Sequence, residues 1–135
     1  MNSTRLAGAA IVAIGALVLF VPHVVRADMA SEIKILDPDS DGTLSLDEVQ
    51  AASAKKFTML DADNDGTIDK KEAKGILKKG AFAKADPDKD GTIDKAEFSG
   101  FAEMLFKKAD ADGDGTLDAK ELAGKPGMKL LKMME

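Results

Sequence analysis

Asp61-Ala62-Asp63-Asn64-Asp65-Gly66-Thr67-Ile68-Asp69-Lys70-Lys71-Glu72 is a stretch of twelve residues with oxygen ligands at regular intervals. Carboxylates stand at positions 1, 3, 5, 9 and 12, and glycine stands at position 6. A hard cation takes six to eight oxygens, and a loop of this pattern can supply them. Aspartates at alternating early positions put short carboxylates on the inside of a tight curve. Gly66 permits the sharp turn that a Cβ would oppose. The main-chain carbonyl of Thr67 adds an oxygen, and the longer arm of Glu72 closes the shell from the first turn of the next helix.

The pattern occurs four times in phase. Loop 1 offers Asp37, Asp39, Asp41, Thr43, Ser45 and Glu48, and loop 2 offers Asp61, Asp63, Asp65, Thr67, Asp69 and Glu72. Loop 3 offers Asp86, Asp88, Asp90, Thr92, Asp94 and Glu97, and loop 4 offers Asp110, Asp112, Asp114, Thr116, Asp118 and Glu121. One acidic turn could be chance. Four with glycine and the final glutamate in register read as EF-hand loops spanning 37–48, 61–72, 86–97 and 110–121. Leu44, Ile68, Ile93 and Leu117 occupy position 8, where paired loops share a short β-bridge.

Spacing sets the architecture. Twelve residues separate Glu48 from Asp61, thirteen separate Glu72 from Asp86, and twelve separate Glu97 from Asp110. These gaps hold one helix each, so the helix leaving one loop must also enter the next. Leu46, Val49, Ala52, Ser53, Phe57 and Leu60 form one helical face, with Lys55 and Lys56 off it. Phe98, Phe101, Ala102, Leu105 and Ala109 form another. Between loops 2 and 3, Gly75 and Gly80 predict a broken helix or two short ones, with the stop near Gly80. A rod of about 12 residues is roughly 18 Å long, so two loops on one rod cannot touch. A broken middle connector then pairs loop 2 with 3 and loop 1 with 4. Gly124-Lys125-Pro126-Gly127 reads as a turn, followed by a short amphipathic helix over 128–134. The expected fold is all-α, a compact helical bundle of four closely spaced loops that share their connecting helices. The apolar faces are core on this reading. Met59, Met104, Met133 and Met134 are too few to make a methionine-rich target groove the first choice.

The first 27 residues carry a different signal. Arg5 gives a basic start, residues 6–21 are apolar or small without interruption, and Val25-Arg26-Ala27 offers a cleavage site. The run is shorter than the roughly 20 residues needed to span a bilayer. It is expected to be a secretory signal peptide cut after Ala27, leaving a metal-binding domain over 28–135 with no membrane attachment. The only histidine, His23, leaves with it. The remaining chain has 24 acidic and 17 basic residues and no cysteine. Disulfides, thiolate metal sites and a cysteine nucleophile are excluded. With no histidine left and the carboxylates claimed by metal, an enzyme is not expected. Nucleic acid is an unsuitable partner, since the charge is of the wrong sign and stacking aromatics do not accompany the lysines.

The chain resembles the lanmodulin family, periplasmic lanthanide-binding EF-hand proteins of methylotrophic bacteria. The likeness runs through the leader, the four loops, their 12/13/12 spacing, the text Asp86-Pro87-Asp88-Lys89-Asp90-Gly91-Thr92-Ile93-Asp94 and the segment Asp118-Ala119-Lys120-Glu121-Leu122-Ala123. Proline at loop position 2 marks the family. Pro38 and Pro87 carry it, while Ala62 and Ala111 replace it. Asp at position 9 is also favoured. Asp69, Asp94 and Asp118 match, and Ser45 does not. Loop 4 opens on Asp110 where the family pattern has Asn. The resemblance implies lanthanide(III) ions as the preferred ligands, calcium(II) as a weaker one, periplasmic location, a monomer, and a partner within periplasmic lanthanide-handling machinery.

Site charge points the same way. Five carboxylates in loops 2, 3 and 4, and four in loop 1, leave a surplus around a divalent ion that a trivalent ion of similar size neutralises further. A periplasmic calcium buffer or sensor is the alternative. A docking module of the dockerin kind is a third class, although those repeats usually come in two copies.

Overall fold

The computed structural model describes residues 31–135. The expected signal peptide over 1–27 lies outside the described residues. Helix α1 is described over 31–36. There follow β1 (Leu44–Ser45), α2 (Leu46–Leu60), β2 (Thr67–Ile68), α3 (Lys79–Ala85), β3 (Ile93–Asp94), α4 (Lys95–Ala109), β4 (Thr116–Leu117), α5 (Ala119–Leu122) and α6 (Lys125–Met134). The chain is mostly helical, and its strands are two-residue bridges, as the spacing predicted.

Helices α2 and α4 are the two rods. Each has 15 residues, about 22 Å at 1.5 Å per residue. Each begins on a capping box. Ser45 and Asp94 accept the N–H of Glu48 and Glu97, and each glutamate accepts the cap residue's own N–H in return. Two orphan helix donors are satisfied reciprocally in this way. The rods pack against each other, and Phe57 of α2 meets Phe98 of α4 edge-on, with centroids 5.9 Å apart. Phe98, Leu122 and Leu130 are fully buried, and α6 lies on α4. Val49, Phe57, Phe101 and Leu105 are buried as the helical faces predicted, and Phe106, off those faces, joins them in the core.

The loop pairing is the expected one. Leu44 lies opposite Leu117 in an antiparallel bridge, and Ile68 lies opposite Ile93 in a second. All four position-8 side chains have no exposed surface. Loops 1 and 4 therefore sit together, as do loops 2 and 3.

Three local details differ from the sequence expectation. The middle connector does break, but at Gly75 and not at Gly80. Residues 70–77 are turns, Gly75 sits at φ +99°, and Gly80 lies inside α3. A positive φ is where a glycine is required, whereas a glycine in a helix only lowers its propensity. The last helix begins at Lys125, with Gly124 as N-cap, so Pro126 and Gly127 belong to its first turn. Proline is tolerated there because the first-turn N–H has no helical partner to lose. Lys56 is buried at 8 % exposure instead of standing clear of the α2 face. The methionines, as expected, do not share one surface: Met133 is in the core and Met59 is 66 % exposed.

Candidate metal centres

Each loop folds by the same set of side-chain-to-backbone hydrogen bonds. The position-1 aspartate accepts the N–H of the position-6 glycine through Oδ2, at 2.8 to 3.2 Å in the four loops. The position-3 aspartate accepts the N–H of position 5. The position-5 aspartate accepts both the N–H and the hydroxyl of the position-7 threonine. Carboxylates thus pull the backbone around themselves. Position 4 is left-handed in every loop: Ser40, Asn64 and Lys89 have φ near +60°, and Gly113 has φ +75°. Sequence reasoning missed this position. Asn64 and Gly113 carried a hint, while serine and lysine give no such signal.

The ligand oxygens converge. The carboxylates at positions 1, 3 and 12 offer atoms within 4.8 Å of one another in each loop: Asp37, Asp39 and Glu48; Asp61, Asp63 and Glu72; Asp86, Asp88 and Glu97; Asp110, Asp112 and Glu121. The position-5 residues Asp41, Asp65, Asp90 and Asp114 stand outside those closest groups, turned onto their threonines. Thr67 and Thr116 are members of the β-bridges, and Thr43 and Thr92 immediately precede β1 and β3.

Three position-9 residues stand where helices start, and the fourth stands where a turn starts. Ser45, Asp94 and Asp118 are N-caps, and Asp69 makes the equivalent bonds to Lys71 and Glu72. In each aspartate only Oδ1 accepts these bonds. The capping role is one that the loop pattern alone did not disclose.

Electrostatics follow from this crowding. A hydrogen bond with Asp37 and the charges of Asp41 and Glu48 push the Asp39 carboxyl above its ordinary range, against the pull of the Asp41 N–H. Asp37 is opposed by desolvation, but the Gly42 N–H, the Asp39 side chain and the Ser40 and Asp41 N–H groups together hold it low. The Asp94 N–H draws Glu97 down, yet desolvation and the charges of Asp88, Asp94 and Asp90 outweigh it and raise the group. Asp90 and Asp114 are lowered by the hydroxyl and N–H of Thr92 and Thr116. The N–H of Glu72 leads the lowering of Asp69, helped by the N–H and charge of Lys71. Carboxylates that raise one another are sites where an added cation is most rewarded.

Among the described residues, two buried ligand oxygens have no hydrogen-bond partner, Glu48 Oε1 and Asp86 Oδ1. Both belong to groups already converged on a loop centre. An unpartnered buried carboxylate oxygen is costly unless a cation neutralises it. The donor set, all oxygen and strongly anionic, fits a hard ion of the calcium or lanthanide kind.

The EF-hand family model matches residues 54–73, 77–102 and 101–123. These segments hold loops 2, 3 and 4, while loop 1 falls outside them. No curated protein matches the chain.

Proposed function

Taking an EF-hand metal-binding protein as the starting point, we propose that this chain is a periplasmic, high-affinity binder of lanthanide ions that holds calcium more weakly and folds as it binds. The supporting observation is the free second oxygen at position 9. Asp94 and Asp118 spend Oδ1 on their helix starts and Asp69 spends it on the turn that follows, and Oδ2 accepts no hydrogen bond among the described residues. The carboxylate adds its charge beside the ligand group, where the charge of Asp94 already acts on Glu97. An added negative charge favours a trivalent over a divalent cation. The resemblance to the lanmodulin family supports the same choice.

Side-by-side titrations with lanthanum and calcium test the reading, together with Asp→Ser changes at positions 69, 94 and 118. Serine keeps a capping oxygen, as Ser45 shows in loop 1, and removes only the charge. Lanthanum affinity should fall further than calcium affinity. Equal falls would make position 9 a general ligand. A parent chain that held calcium as tightly as lanthanum would favour the calcium buffer or sensor, which the same all-oxygen donor set can serve.

Metal-coupled folding has its own test. Nineteen carboxylates crowd four turns, and the apolar core of so short a domain is small. Far-ultraviolet circular dichroism should show a large gain of helix on saturation with either ion. Periplasmic location rests on the leader alone. Cell fractionation should place a chain beginning at Asp28 in the periplasm.

A further inference from the structure

The four closing glutamates are not held alike. In every loop, Oε2 of the position-12 glutamate accepts the N–H of position 9, at 2.7 to 3.1 Å. In loops 2 and 4 the other oxygen is also tied. The N–H of Ala62 donates to Glu72 Oε1 at 2.9 Å, and that of Ala111 donates to Glu121 Oε1 at 2.8 Å. These bonds join the first turn of the loop to its last residue, ten positions on. In loops 1 and 3 the equivalent residues are Pro38 and Pro87. Proline has no N–H to donate. Glu48 Oε1 is accordingly buried without a partner, and Glu97 accepts only through Oε2 and through no other donor among the described residues.

We propose that the residue at loop position 2 decides whether the closing glutamate is clasped, so that each bridged pair unites one clasped loop with one open loop. Loop 4, clasped, is bridged to loop 1, open; loop 2, clasped, is bridged to loop 3, open. The proposal rests on the reading of these loops as metal sites. The clasp does not block a cation, because a carboxylate oxygen has two lone pairs and the N–H uses one. It fixes the side chain that must swing away before an ion can leave. An open loop holds its glutamate by one oxygen, and the ion itself must hold the other. Ala62 and Ala111 act through their main chain as positioning residues. Pro38 and Pro87 act by removing that donor.

Proline also stiffens the chain by fixing φ, which lowers the entropy lost on ordering a loop. Stiffening and clasping therefore predict opposite signs for the same substitution. In the complete mature chain labelled with nitrogen-15 and loaded with lanthanum, the amide protons of Ala62 and Ala111 should exchange slowly although both residues are exposed. Stepwise removal of metal by a chelator, followed at the amides of Gly42, Gly66, Gly91 and Gly115, reports each loop separately. Ala62→Pro and Ala111→Pro should weaken loops 2 and 4 by about fivefold, the scale of one hydrogen bond to a charged acceptor with partial exposure. Pro38→Ala and Pro87→Ala should strengthen loops 1 and 3 by about the same factor. These two add a bond and keep the assay decisive if an introduced proline prevents folding. Fast exchange at Ala62 and Ala111, or tighter binding in the Ala→Pro loops with weaker binding in the Pro→Ala loops, would overturn the clasp. A calcium-loaded arm separates this from the functional reading. The lanthanum-to-calcium ratio of the parent chain judges the metal preference, and the variant-to-parent ratio within one ion judges the clasp.

Discussion

The connector between loops 1 and 2 and the connector between loops 2 and 3 differ by one residue in length and entirely in behaviour. The first becomes α2, an unbroken rod with a capping box at its start and a loop at each end. The second turns at Gly75 and resumes as the seven-residue α3, whose N-cap Lys78 makes no side-chain hydrogen bond. The rod keeps its two loops apart, and the broken connector folds its two loops together. A local choice, continuous or broken helix, thus sets which metal centres are neighbours.

The largest expected effect comes from parting the rods. Phe98 has no exposed surface and packs edge-on against Phe57. Phe98→Ala should cost about 3–5 kcal/mol, read as a loss of denaturant midpoint in metal-saturated protein. A cost under 1 kcal/mol would mean that the rods are held chiefly by their loops.

Breaking the other member of the comparison should cost less. Gly75 has φ +99°, and nothing lies within 4 Å of a Cβ placed there. Gly75→Ala therefore meets no clash and reports backbone strain alone, about 1–2 kcal/mol. A neutral result by thermal unfolding would show that residues 70–77 can take another path between loops 2 and 3.

Helix starts sharpen the contrast further. Asp94 caps α4 through the N–H of Glu97. At saturating metal, Asp94→Ala should lie below Asp94→Ser by about 1 kcal/mol, because serine retains a capping oxygen. The uncapped α3 should respond in the opposite direction: Lys78→Asp should stabilise by about 0.5–1 kcal/mol. Calorimetric melts of the three variants beside the parent check both statements, and equal melts for the Ala and Ser forms would remove the cap from the account of α4.

Much of this was legible in the sequence, for identifiable reasons. The twelve-residue ligand pattern fixes the loops, because oxygen ligands leave little freedom of spacing. The twelve-residue gaps fix the rods, and a rod's length forbids its own loops from pairing. The break at Gly75 was blurred because Gly75 and Gly80 look alike in sequence, and only the required sign of φ separates them. Lys89 in a left-handed conformation was invisible, since no lysine signals it. The tie between Ala62 and Glu72 was hidden because a main-chain donor has no letter of its own. Only its absence, at Pro38 and Pro87, is written in the sequence.

The bridge between Leu44 and Leu117 has a consequence for how the protein comes into being. Its two halves lie near opposite ends of the described chain, whereas Ile68 and Ile93 are close in sequence. Loops 2 and 3 are separated only by the middle connector and can join early once folding begins. Loop 1 must wait for loop 4, across the whole of the chain between them. Closing so long a segment carries the larger entropic cost and the slower rate expected of distant contacts. The chain is thus a structure finished from the middle outward, and its earliest-made loop is among the last to find its neighbour.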